Sequence, residues 1–295
     1  MNEKGLIIRS AAVAQALIVI QSVVYGFGDP LSKIAFEVTP VYTMLSVRYT
    51  MAFAVLFLLF HKRIVRTVRL VPVKSWLLPG LCIGLSYVLS NVALSLTDAT
   101  PIAFLRSMAV VITPLFAFIV FRSRYCWQHI VIQILALPGL YLLCVRGGLS
   151  GFGLGECITV VAAILMAGAL VFSGQFLDQV DPISMTALQA GCSAVLAFAA
   201  SLIFEGGLQL GNTTGVAWMI IVYLAILCTL LGYLMQNLAL TRISDRAVAL
   251  LQTLYPVMTA VFSYIMIGEK LSAAGIVGAC IIIACIAAAS LIRTE

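Results

Sequence analysis

Ten apolar stretches, most of them about twenty residues long, fill this chain almost from end to end, separated only by short polar or basic turns. The hydrocarbon core of a bilayer is crossed by about 20 residues of α-helix, and lipid admits only structures that satisfy their own backbone hydrogen bonds. The first five stretches run approximately from Ala11 to Ile34, Val41 to Phe60, Trp76 to Leu96, Thr100 to Phe121 and His129 to Val145. The second five run from Cys157 to Leu177, Ile183 to Phe204, Val216 to Leu240, Ala247 to Ile267 and Ala273 to Ile292. They predict an all-α integral membrane protein of about ten transmembrane helices. With 63% hydrophobic and 9% charged residues over 295 positions, the composition excludes an ordinary soluble domain.

The net charge of +6 is not a nucleic-acid signature, because the basic residues form no aromatic-interleaved patch and lie mostly in the turns. Their placement orients the chain instead. With a cytoplasmic N-terminus, the inside loops hold Lys4, Arg9, Lys62, Arg63, Arg66, Arg69, Lys74, Arg122, Arg124, Arg242, Arg246 and Arg293. The outside loops hold only Arg146 and Lys270, so both termini are expected to face the cytoplasm. The run from His61 to Arg69 is open to three readings: a topology signal, a contact with lipid headgroups, or a site for an anionic partner. Lys4 and Arg9 before an apolar stretch resemble a signal peptide. That stretch is too long, and its small residues Ala12 and Ala14 come at its start, so it is expected to remain as the first span. Cys82, Cys144, Cys157, Cys192, Cys228, Cys280 and Cys285 sit in or beside apolar runs without CxxC or Cys/His ligand spacing, and read as small hydrophobes. No metal site and no cofactor is expected.

The chain also repeats itself. Tyr87, Asn91, Ala93 and Leu94 recur as Tyr233, Asn237, Ala239 and Leu240. The same offset carries Leu105, Arg106, Ser107 and Phe116 onto Leu251, Gln252, Thr253 and Phe262. Residues 1–150 and 151–295 each hold five spans, an odd number, so the second copy is expected to lie inverted in the membrane. Inverted repeats are the architecture of many secondary transporters, which exchange two conformations around a site near the midplane.

Short motifs point the same way. The first half carries Tyr25-Gly26, Lys33, Pro40, Arg48 followed by Ala52, the run Ala99 to Leu105, and Val110 to Leu115. The second half carries Gly155-Glu156, Asp181-Pro182, Tyr255-Pro256 and Gly268-Glu269-Lys270-Leu271. In their order and spacing these resemble the signatures of the EamA-type branch of the drug/metabolite transporter superfamily, over nearly the whole chain. One departure is Arg122-Ser123-Arg124-Tyr125, which lacks the acidic residue of its counterpart at 268–271. The resemblance implies ten helices, an inner-membrane or plasma-membrane location and carrier-type movement of metabolites, often outward.

Charges inside the hydrocarbon point to a site, since each costs about 2.5–3.5 kcal/mol at mid-span on insertion scales. Asp29, Arg48 and Arg106 fall at similar depth in the outer half, with Lys33 near the outer end of the first span. Asp29 either locks the first hairpin by pairing with Arg48 or serves function; as the acid well inside a span, it is the proton-coupling candidate. Arg106 has no obvious private partner beyond a reach to Asp98, and its repeat-mate Gln252 is uncharged, so it suits a substrate carboxylate or phosphate. Gln21, Tyr25 and Asp29 share one helical face, while Tyr87 with Asn91 and Tyr233 with Asn237 form matching pairs. The candidate binding set is Gln21, Tyr25, Arg48, Tyr87, Asn91, Arg106, Tyr233, Gln236, Asn237 and Gln252. Pro114 and Pro256 are candidates for gating bends, whereas Gly151 to Gly155 reads as a linker rather than a phosphate loop.

An integral membrane enzyme would need clustered nucleophile, base and metal ligands, but the chain has only His61 and His129 and no HExxH. A channel is disfavoured by the repeat and by the lack of a filter-like sequence. ATP-driven pumping is disfavoured because no GxxxxGK[ST] loop is present. The expectation is a secondary transporter that moves small metabolites such as amino acids or related carboxylates outward across the cell membrane by alternating access, with multidrug or organic-cation export as the alternative. Its partners are the small solute and the lipid bilayer, with a homodimer open to it and nucleic acid excluded.

Overall fold

The computed structural model describes residues 10–96, 102, 105–122, 127–144, 153–267 and 273–291. Asp98, residues 123–125, residues 151–152 of the expected linker and the motif at 268–271 lie outside them, while Leu154 and Gly155, expected in that linker, already belong to the helix that begins at Leu154. The apolar stretches form helices α1 (Ala11–Phe36), α2 (Val41–Leu70), α3 (Lys74–Leu96), α4 (Ala109–Phe121) and α5 (Trp127–Cys144). The second half supplies α6 (Leu154–Phe176), α7 (Pro182–Phe204), α8 (Gly215–Tyr223), α9 (Gly232–Leu240), α10 (Asp245–Leu251), α11 (Leu254–Ile267) and α12 (Ala273–Leu291). No strand occurs among the described residues. Among the described residues, seven helical stretches are long and apolar enough to cross a membrane, and Leu105–Phe121 and Ala273–Cys285 are shorter apolar helices. The protein is a multi-pass, all-helical membrane protein.

Local chemistry sets the helix ends. Asp181 caps α7 by accepting hydrogen bonds from the amides of Ile183 and Ser184, with Pro182 at the first position, where its missing N–H costs nothing. The α2 N-terminus follows Pro40 and has no cap of its own; the Glu205 carboxylate accepts from Tyr42 N (2.8 Å), Thr43 N (2.7 Å) and Thr43 Oγ1 (2.8 Å). An acid there satisfies orphan donors and complements the helix dipole.

Three features depart from the regular spans expected. Helix α2 continues past Phe60 to Leu70, with a kink at Phe60 (φ −130°, ψ 22°): the Lys and Arg residues beyond it favour helix, Ile64 and Thr67 are buried on its inner side, and it ends only before Pro72. Between α8 and α9 the chain stays helical but widens into a π-helix over Leu224–Leu231. The span after Ser244 breaks between α10 and α11 at Gln252-Thr253. Pro256 has no N–H to offer the Gln252 carbonyl, which instead accepts from Tyr255 N at 3.0 Å.

The halves interlock. Helix α1 packs on α9 and α11 of the second half, and α6, the first helix of that half, packs on α3 and α4 of the first. Helices α2 and α7 pair, as do α5 and α12. Glycines permit the closest approaches: a Cβ on Gly26 of α1 would lie 2.8 Å from backbone atoms of Met258 and Thr259 in α11.

Candidate functional site

The polar residues of α1 face inward. Gln21 and Tyr25 are buried and Asp29 is half-buried, one helical turn apart each, on the side turned toward α9 and α11. Against them lie two small chambers. The first, of about 40 Å³, is lined by Tyr25, Tyr87, Arg106, Gln252 and Tyr255 among others. The second, of about 20 Å³, is lined by Asp29, Arg48, Asn91 and Cys228 together with the same Tyr25, Tyr87 and Arg106. These three shared side chains form the partition.

Arg106 is held between two rings, its Cζ 5.0 Å from the Tyr87 centroid and 4.8 Å from that of Tyr255. Its Nη1 donates to the Tyr255 hydroxyl at 3.0 Å, and that hydroxyl donates in turn to Asp29 Oδ2. One phenol therefore sits between a guanidinium and a carboxylate. Tyr25 completes the aromatic wall, edge-on to Tyr87 at 6.1 Å and to Tyr255 at 6.5 Å.

The pairing of Asp29 with Arg48, one of two readings of the sequence, is not formed: among the described residues no ion pair joins them. Arg48 is only 5% exposed, and its Nε donates to Thr229 Oγ1 in the π-helical segment at 2.8 Å. The wider turn places this hydroxyl opposite a buried guanidinium, which accords with the frequent association of π-helical turns with functional positions.

At the other end of the first chamber three glutamines meet. Gln252 Nε2 donates to Gln21 Oε1 (3.0 Å) and Gln236 Oε1 (2.8 Å), and Gln21 Nε2 donates to the Gly232 carbonyl (2.7 Å). Gly232 is required there, since a Cβ would lie 2.6 Å from the Tyr25 hydroxyl oxygen.

Most of the residues singled out from sequence thus converge. Gln21 and Gln236 support the first chamber through Gln252, and Tyr233 backs Tyr87 with ring centroids 5.4 Å apart. Asn91 lines the second chamber and donates to the Tyr87 carbonyl at 2.8 Å. Asn237 faces elsewhere: its Nδ2 bonds Thr186 Oγ1 (3.0 Å) and Gln189 Oε1 (2.8 Å) of α7, so it ties helices together and lines neither chamber. The repeat equivalence of Asn91 and Asn237 did not extend to their surroundings.

The sequence reading passed over Tyr255 and Thr229 as site residues. Tyr255 carried a signal, standing three residues after Gln252 and therefore on nearly the same helical face. Thr229 carried none beyond a lone hydroxyl in an apolar run. No group of three or more His, Cys, Asp or Glu suited to a metal occurs among the described residues.

The EamA-like transporter family matches this chain twice, over residues 13–145 and again over 153–291. A protein of Archaeoglobus fulgidus named an uncharacterized transporter is 24% identical over 272 residues, covering 92% of this chain and 83% of that one. A second uncharacterized transporter of the same organism is 26% identical over 194 residues, 64% of this chain and 65% of its own length. A solved crystal structure superposes with a TM-score of 0.79 at 19% identity, covering 96% of this chain and 98% of that one, a likeness of fold.

Proposed function

The chain belongs to the EamA-like transporter family, a membrane transporter built on two repeats, and we propose that it moves small zwitterionic or anionic metabolites, amino acids or related carboxylates first among them, by alternating access. In this reading ten helices cross the inner or plasma membrane as two inverted five-helix repeats, both termini are cytoplasmic, and net movement is outward. A homodimer is compatible with it.

The observation that carries the reading is the bridge from Arg106 through Tyr255 to Asp29. A guanidinium whose acceptor is a neutral phenol exchanges that partner readily for a carboxylate, which offers a bidentate, charge-assisted contact. Displacement of the Tyr255 hydroxyl from Arg106 then reaches Asp29 through the same oxygen, making Asp29 the proton site if flux is coupled to a proton gradient. With two guanidiniums and one carboxylate on their walls, the chambers carry net positive charge. Their volumes, about 40 and 20 Å³, hold one or two waters but no metabolite, so solute entry requires the tyrosine partition to open.

The aromatic wall of Tyr25, Tyr87 and Tyr255 beside Asp29 favours one rival, an organic cation held by ring faces and the carboxylate. Thermal unfolding of the purified protein separates the two. Ligands at 100 times their dissociation constant stabilise the folded state by about 2.7 kcal/mol. Amino acids or carboxylates are expected to raise the midpoint in wild type but not in Arg106→Gln. Stabilisation by organic cations that survives Arg106→Gln contradicts the anion site and supports the rival.

A further inference from the structure

Away from the central chambers, a cavity of about 350 Å³ opens where the extension of α2 meets the turn between α6 and α7. It is lined by Arg63, Arg66, Thr67, Leu70, Val71, Gln179 and Asp181. Its size falls within the range of small-molecule sites, about 300–1,000 Å³, and the transport reading makes no use of it.

The helix forming one wall is built for an interface. Beyond the kink at Phe60, Ile64 and Thr67 turn inward (2% and 8% exposed), while Lys62, Arg63, Arg66 and Arg69 are exposed. Just before the kink, Leu58 and Leu59 are 77% and 67% exposed, the lipid-facing surface of α2; Leu70, on the cavity rim, is 71% exposed. Cationic heads thus stand directly at the boundary of an apolar surface. The opposite wall is fixed: Gln179 Oε1 accepts from Ser75 Oγ at 2.9 Å, and Asp181 Oδ1 accepts from Ile183 N (3.2 Å) and Ser184 N (3.1 Å).

We propose that this cavity binds the phosphodiester headgroup of a membrane phospholipid, with the phosphate on Arg63 and Arg66 and the acyl chains along the exposed leucines of α2. Guanidinium pairs match phosphate oxygens bidentately. The Asp181 carboxylate on the facing wall selects a headgroup that also carries an ammonium, so phosphatidylethanolamine is the preferred ligand. The adjoining apolar surface distinguishes a lipid from free phosphate, which has nothing to place there.

The test titrates full-length protein in an uncharged detergent with phosphatidylethanolamine, phosphoethanolamine or inorganic phosphate and follows the unfolding midpoint. Wild type should be stabilised by the lipid at concentrations where the two soluble phosphates have no effect. Arg63→Gln/Arg66→Gln should weaken lipid binding roughly tenfold. The control Lys62→Gln/Arg69→Gln removes the same charge from the same helix but leaves the cavity walls intact, and it should bind as wild type does. Equal weakening in both double variants would reduce the site to a diffuse basic field. Equal stabilisation by the soluble phosphates would remove the lipid from the proposal, and no stabilisation by phosphatidylethanolamine would overturn it.

Discussion

Tyr255 holds one hydroxyl between charges of opposite sign, accepting from Arg106 and donating to Asp29, while its ring flanks the same arginine. Tyr255→Phe separates these roles, because the ring remains and only the bridge is lost. Without the hydroxyl between them, Arg106 and Asp29 are free to pair directly, and a solute carboxylate must then compete with Asp29 for the guanidinium. The expected result is solute binding roughly tenfold weaker, about 1.4 kcal/mol, with folding stability changed by less than about 1 kcal/mol. Ligand-dependent thermal shifts measure both; unchanged affinity would place Tyr255 outside the exchange. At this scale the sequence was informative where spacing carried the signal: Gln21, Tyr25 and Asp29 stand at four-residue intervals and do share the inward face. It was less so where only a neighbouring helix decides, as with Asn237, drawn onto α7 by Thr186 and Gln189.

Among the elements, the break between α10 and α11 follows from Pro256 and puts Gln252, with its contacts to Gln21 and Gln236, at a joint rather than inside a regular helix. Pro256→Ala gives the Gln252 carbonyl a conventional donor and favours a continuous helix. If the joint bends during transport, this variant should unfold at a temperature no lower than wild type yet move solute more slowly. Paired thermal-unfolding and flux measurements check this, and full-rate transport would assign the break to packing alone. Positions of the apolar spans were legible from hydropathy, and this joint from a proline. The π-helix over Leu224–Leu231 was not, because an uninterrupted apolar run is compatible with either helical pitch. The extension of α2 was hidden similarly: basic residues after Phe60 mark the end of a membrane crossing, but they are good helix formers and do not stop the helix.

Across the whole molecule, the first helix of each half packs against the other half, so the central chambers are built from both: Tyr25, Arg48, Tyr87 and Arg106 from one, Gln252 and Tyr255 from the other. The repeat was legible in sequence, but its counterparts diverged where the site formed, Arg106 facing Gln252 and Ala109 standing in the place of Tyr255. That divergence puts the cation and its phenol partner on opposite halves, so any relative movement of the repeats alters their contact. The most direct test of this account is solute counterflow in proteoliposomes loaded with an unlabelled carboxylate metabolite that stabilises the purified protein. Wild type is predicted to accumulate the labelled solute transiently, and Arg106→Gln, reconstituted to the same level, to show none. Equal counterflow by Arg106→Gln would contradict the account.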